Sequence, residues 1–217
     1  MIPAAGLRAA TAATKKSAVF VLLGALLAAA LLLACAPAAS KDRFEDWSAT
    51  TGAAGVAEYR RYLQHQGLDD VAPMPALLRS ARSWRECDAG EFALPPRALW
   101  PNILPTLRAL RQLQAAGLVD GRKVASGYRE ATLNRCAGGS ARSRHLSNNA
   151  LDFDLLESPD NVERLCDFWR GKGPALKLGL GFYTDTRIHL DTSGFRTWGS
   201  DHTRRTSLCN INAAPAP

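Results

Sequence analysis

His145, Asp152 and His189 are the residues whose types and spacing could do chemistry. Asp152 lies in Ala150-Leu-Asp-Phe-Asp-Leu155, where Leu151, Phe153 and Leu155 point one way and Ala150, Asp152 and Asp154 the other. His189 lies in Arg187-Ile-His-Leu-Asp191, with Ile188 and Leu190 toward the core and Arg187, His189 and Asp191 on the opposite face. Both stretches have the period of two that marks a strand with one buried face. His145 precedes Asp152 across Asn148-Asn149, a pair that suits a tight turn with positive φ. If the two strands are neighbours, their polar faces are shared and the turn folds His145 back toward Asp152. Two imidazoles and one carboxylate form a donor set for zinc, with a fourth position left to water. Such a site polarises a carbonyl and acidifies a water. The same set also suits other divalent ions. Taken singly, each of these residues reads more simply as part of a solvated polar face. Asp154 points the same way as Asp152, but nothing in the pattern makes it a ligand.

The elements that would position these groups come in a definite order. A helix is expected over Ala53–Gln66, with Val56, Tyr59 and Leu63 on one face and Gly67 as its stop. A short helix from Pro75 to Arg82 follows. A stronger one starts at a cap on Asn102, carries Ile103, Leu107, Leu110 and Leu113, and ends at Gly117. A strand over Lys123–Ser126 leads into Gly127-Tyr128-Arg129, and Glu130–Cys136 reads as a helical turn. Ser158 as cap and Pro159 in the first turn open another helix, with Val162, Leu165, Cys166 and Trp169 inward and Gly171 or Gly173 at its end. Gly179–Tyr183 reads as a glycine-interrupted strand, and residues 194–199 as a short strand or turn. Helices first and a sheet afterwards define an α+β fold, a small mainly antiparallel sheet with flanking helices behind an N-terminal helical segment. Trp169 belongs to the core, Trp198 to a cleft wall, and His65 and His202 to solvent.

The start of the chain reads as an address. Arg8, Lys15 and Lys16 precede an apolar run that ends Leu32-Leu-Ala-Cys35, the pattern of an export signal with a lipidated cysteine. Residues 1–34 are then the signal, Cys35 the lipid attachment point, and residues 35–43 a tether. An uncleaved membrane helix is the other reading of the same run. Either places the remainder outside the cytoplasm, and Ala36 after the cysteine favours an outer membrane where one exists. Of 217 residues and a net charge of +7, removal of the three early cations leaves 24 Lys+Arg against 20 Asp+Glu, or +4. That is too mild a balance for a nucleic-acid partner. Cys87, Cys136, Cys166 and Cys209 remain, an even number in an exported chain, which points to two disulfides without choosing the pairing.

In order along the chain stand Ser126-Gly-Tyr-Arg129, Asn134, Gly138-Gly139, Ser143-x-His145-x4-Ala150-x-Asp152 and Ile188-His-Leu-Asp191. These blocks, spread over roughly Leu118 to Trp198, resemble the zinc D-alanyl-D-alanine peptidases, which include bacterial murein endopeptidases and carboxypeptidases. The resemblance implies that His145, Asp152 and His189 hold Zn2+. It also implies that Arg129 binds the substrate peptide and the developing oxyanion, with Ser126 and Tyr128 beside it at the substrate. Two departures stand out. Asn148 replaces a usual glycine. The acidic residue or histidine that many members carry just before the last ligand is absent, since Thr186, Arg187 and Ile188 stand there. The general base is then expected to be Asp191, with Asp185 as the other candidate and an imidazole-orienting role as the alternative for Asp191. The expected organisation is 1–34 signal, 35–43 tether, 44–100 N-terminal helical segment, 101–212 peptidase-like domain and 213–217 tail. The expected partners are peptidoglycan and, through the anchor, a membrane, with the protein acting as a monomer. A wall-binding module that keeps the fold without catalysis is the competing expectation.

Overall fold

The computed structural model describes residues 40–211. The expected signal, Cys35 and the tail 213–217 lie outside them. Apolar residues at helical spacing build the first layer. Helix α1 spans Ser40–Trp47, so the expected tether is helical from Ser40 onward. Helix α2 spans Ala53–His65 and buries Val56, Tyr59 and Leu63, and Gly67 follows it at φ 63°. Helix α3 is only Met74–Leu77, shorter than expected, because Arg79 leaves the helix to bridge Phe92 in an extended pair. A 3-10 segment, Arg97–Ile103, leads into α4, Leu104–Ala115. Asn102 therefore does not cap α4; its side-chain amide donates to the Ser147 carbonyl at 2.9 Å. The expected boundary at 100/101 falls inside that 3-10 segment. One hydrophobic core runs from Phe44 through α2 and α4 to Leu190.

The sheet follows. Strands β1 (Val124–Ser126), β2 (Ala150–Asp154), β3 (Gly179–Phe182), β4 (Arg187–Asp191) and β5 (Arg196–Trp198) take the order β1-β2-β4-β3-β5. All pairings are antiparallel except the parallel β3–β5 edge. The fold is thus α+β, with helices α5 (Ala131–Cys136), α6 (Asn161–Leu176) and α7 (Leu208–Ile211) beside the sheet. Helix α6 departs from expectation at both ends. Ser158 bonds Asp160 instead of capping, and neither Gly171 nor Gly173 stops the helix, which runs on through Pro174 to a left-handed Lys177. Two disulfides staple the helices: Cys87–Cys136 fixes the segment before α4 to α5, and Cys166–Cys209 fixes α6 to α7. Among the described residues no helix is long and apolar enough to cross a membrane.

Candidate metal centre

The register of β2 against β4 sets the site. Asp152 lies directly opposite His189, so the two alternating strands share their polar face as their sequences require. His145 arrives from a 3-10 turn, Arg144–Ser147, whose C-cap is Asn148 at φ 54°. Asparagine tolerates this left-handed conformation better than most side chains. Its amide also donates to the Leu99 carbonyl at 3.1 Å, which ties the turn to the helical layer.

Three atoms converge there. His145 Nε2 lies 3.1 Å from Asp152 Oδ1 and 3.2 Å from His189 Nδ1, and His189 Nδ1 lies 3.0 Å from Asp152 Oδ1. All three residues are buried. The outer nitrogens are committed elsewhere. His145 Nδ1–H donates to the Gly127 carbonyl at 2.7 Å, and His189 Nε2–H donates to Asp191 Oδ2 at 3.0 Å. Each imidazole therefore turns a lone pair inward, onto a carboxylate oxygen. Three mutually close acceptors repel one another unless a cation sits among them, so this donor set fits a divalent ion. Among the described residues it is the one such convergence of His, Cys, Asp and Glu side chains.

Without an ion, a proton takes that place. Burial pulls the His189 imidazole down, but hydrogen bonds to Asp152 and Asp191 outweigh it and push the pKa up to about 9. Burial dominates at His145 and holds its pKa below the usual value. Burial opposes the charged form of Asp152, yet the two imidazoles overcome it and hold the carboxyl below the usual range.

Two donors complete the carboxylate. Arg129 Nη2 donates to Asp152 Oδ2 at 3.2 Å, and the Tyr183 hydroxyl donates to Asp152 Oδ1 at 3.2 Å. Burial, and then the Asp152 charge, raise the Tyr183 pKa, so it stays a neutral phenol. Arg129 keeps a buried Nε–H without a partner. Ser126 is fully buried; it accepts from Arg129 Nη2 at 2.9 Å and donates to the Ser80 carbonyl at 2.7 Å. The expectation that Ser126 touches substrate gives way here to one of holding the arginine. Tyr128 is half-buried and supplies none of the hydrogen bonds that build the cluster. Trp198 lies against the site, its ring 5.5 Å from His189 and 5.1 Å from Tyr183. It fits because Gly181 is bare: a Cβ there would come within 2.0 Å of the indole. His202 is exposed, but its ring sits 5.1 Å from Trp198, closer to the site than a solvated histidine need be.

The expected base is displaced. Asp191 is fully buried behind His189, where it accepts from Arg196 through both oxygens and from the Ser193 amide at 2.8 Å. Burial alone would raise its carboxyl, but the His189 and Arg196 bonds hold it below the usual range. With its oxygens engaged and an imidazole between it and the inward atoms, Asp191 matches the orienting alternative, not the base. Asp185 is exposed in the β3–β4 connection and is not among the residues that converge there. Sequence reasoning did not single out Tyr183, Arg196 or the Gly127 carbonyl. Tyr183 had a signal, since it shares strand parity with Gly181, which pairs with His189.

A carboxylate and an imidazole on paired strands, joined by a second imidazole from the adjoining turn, form a buried donor set of the class that holds a divalent metal ion. A family model described as Peptidase M15 matches residues 75–191, more than half of the chain. The chain belongs to this family, that of the zinc D-alanyl-D-alanine peptidases, and at that level it is a metallopeptidase. Nothing matches among curated proteins or among solved structures.

Proposed function

We propose that the protein hydrolyses peptide bonds in peptidoglycan stem peptides or their cross-links, at the cell envelope, with zinc as its metal. The observation that supports this most is the trio of inward lone pairs with every outer nitrogen pinned, in a chain of the M15 family. His145 Nε2, His189 Nδ1 and Asp152 Oδ1 are the atoms that would hold the ion. Zinc bound there supplies Lewis acidity toward a carbonyl and acidifies a water. The protein's own groups then have distinct tasks. Arg129, held by Ser126 and Asp152, brings its positive charge to bear on a substrate carboxylate or on charge developing on the scissile carbonyl oxygen. Tyr183 donates from the opposite side of Asp152 and fixes that carboxylate's orientation. Trp198 walls the cleft and limits water. Asp191 and Arg196 hold His189 in one tautomer.

Cys35 anchors the protein by a lipid after export, and the two disulfides suit an oxidising compartment. A Cys35→Ser protein moves to the soluble fraction; retention on membranes after signal cleavage excludes the anchor.

A digest of purified sacculi, with and without chelator and analysed by mass, tests the hydrolase. New muropeptides that vanish with chelator and with His145→Ala are the expected result, and their masses separate endopeptidase from carboxypeptidase. The engagement of Asp191 behind His189 favours one second reading, a wall-binding module with the metal and no turnover. Intact sacculi that retain the protein tightly would establish that reading instead.

A further inference from the structure

A cavity of about 530 Å3 opens beside β1, outside the metal cluster. Arg79, Arg82, Arg122 and Lys123 line it together with Trp84, against one lining carboxylate, Asp154. The cavity continues the metal face of the sheet. Asp154 follows Asp152 on the same face of β2, about 7 Å along the strand. Arg82 grips Asp154 through both terminal nitrogens, at 2.8 and 3.0 Å. Arg187 approaches Asp154 at 3.9 Å from β4. Cations thus run from the edge of the metal site to the end of β1.

These cations are not equally committed. Arg79 leans on Glu91 and Arg122 on Asp120. Lys123 is exposed and makes no ion pair among the described residues. A guanidinium in an ion pair keeps further N–H donors for a second acceptor, so the paired arginines still present hydrogen bonds to the cavity. Trp84 adds a flat apolar surface. A ligand that fills this space beside a peptide-cleaving site is extended, partly apolar and negatively charged.

We propose that this cavity is an anion-recognising arm of the substrate cleft, which takes side carboxylates of an acidic peptide whose scissile bond lies at the metal cluster. The proposal rests on the peptidase reading and deepens it: the enzyme selects peptides bearing free carboxylates over their amidated forms. The arm acts on ground-state binding and takes no part in the chemical step, because none of the residues that line it supplies an atom to the cluster.

Two synthetic stem peptides of identical sequence test this, one with free side carboxylates and one with carboxamides. Binding to the full-length chelated protein is measured by calorimetry, so that no turnover consumes the ligand, and cleavage of both by the metal-loaded protein is followed in parallel. The expected result is about fivefold tighter binding of the acid form, weakening as salt rises. In Lys123→Glu and Arg122→Ala that preference shrinks or disappears. Equal binding of the two forms, no binding of either, or a preference that survives both substitutions overturns the proposal. Selective binding without cleavage leaves the arm standing and sinks the hydrolase reading instead.

Discussion

The two imidazoles of the cluster are alike in chemistry and unlike in how the fold backs them. His145 donates its outer N–H to a backbone carbonyl, that of Gly127, so an uncharged dipole orients it. His189 donates to Asp191, a carboxylate that Arg196 holds from behind. One ring is placed by the path of the chain, the other by a charge relay of three side chains. Their pKa values part accordingly, His145 pulled down by burial and His189 pushed up to about 9. A neutral backing leaves a ring ready to bind metal across a wide pH range, while a charged backing strengthens the donor and makes it compete with a proton.

Removing either ring erases the distinction, and this is the largest effect expected. His145→Ala and His189→Ala should both lose stoichiometric metal by elemental analysis; retention by either would break the three-atom site. Removing the backing should separate the rings. Asp191→Asn should weaken metal binding about 10- to 100-fold, and Arg196→Ala less, since Ser193 still supports the carboxylate. No side-chain truncation reaches His145 in this way. Gly127→Ala does so indirectly, because its Cβ would come within 2.4 Å of the Leu77 carbonyl and push the peptide away. About a tenfold loss of metal affinity is expected there, in a competition titration; an unchanged affinity would show that the carbonyl does not orient the ring.

The proton at His189 sharpens the same contrast. Its folded pKa is raised from 6.5 to about 9. In the metal-free protein its stabilising contribution is therefore complete below pH 6.5 and is lost as pH rises through about 9. Thermal melts of chelated protein should show that decline between pH 6.5 and 9, and Asp191→Asn should flatten it. Metal uptake below pH 9 should release a proton, seen as a buffer-dependent heat. The smallest effect concerns the turn that delivers His145. Asn148→Gly should change stability by no more than about 0.5 kcal/mol, since relief of the left-handed strain offsets the lost bond to Leu99. Asn148→Ala, which loses the bond and keeps the strain, should cost about 2 kcal/mol in a denaturant melt.

The front of the site was legible in the sequence and its back was not. Alternation in Ala150–Leu155 and Arg187–Asp191 placed Asp152 and His189 on polar faces, and the Asn148-Asn149 pair announced the turn, because strand parity and positive φ are local properties. The orienting role of Asp191 depends on Arg196, and Arg196 reaches it only because β5 pairs in parallel with β3, a long-range fact that no local pattern carries. Helix starts failed for a related reason. Asn102 and Ser158 have capping chemistry, but Asn102 spends its amide on Ser147 and Ser158 its hydroxyl on Asp160. The cysteine count was readable and the pairing was not, since four thiols carry no record of which helices meet.

That pairing has a consequence for when the protein becomes competent. The metal-binding atoms sit on strands and a turn that backbone pairing and core packing assemble. The cleft borders are secured differently: Cys87–Cys136 clamps the segment bearing Trp84 to α5, and Cys166–Cys209 moors α7, just past the loop that follows Trp198. A newly made chain still in a reducing compartment would own its ligands but not its fastened borders. If the chain is exported and cuts the wall as proposed, oxidation would act as a maturation step that fastens those borders only after the chain has left the compartment where it was made.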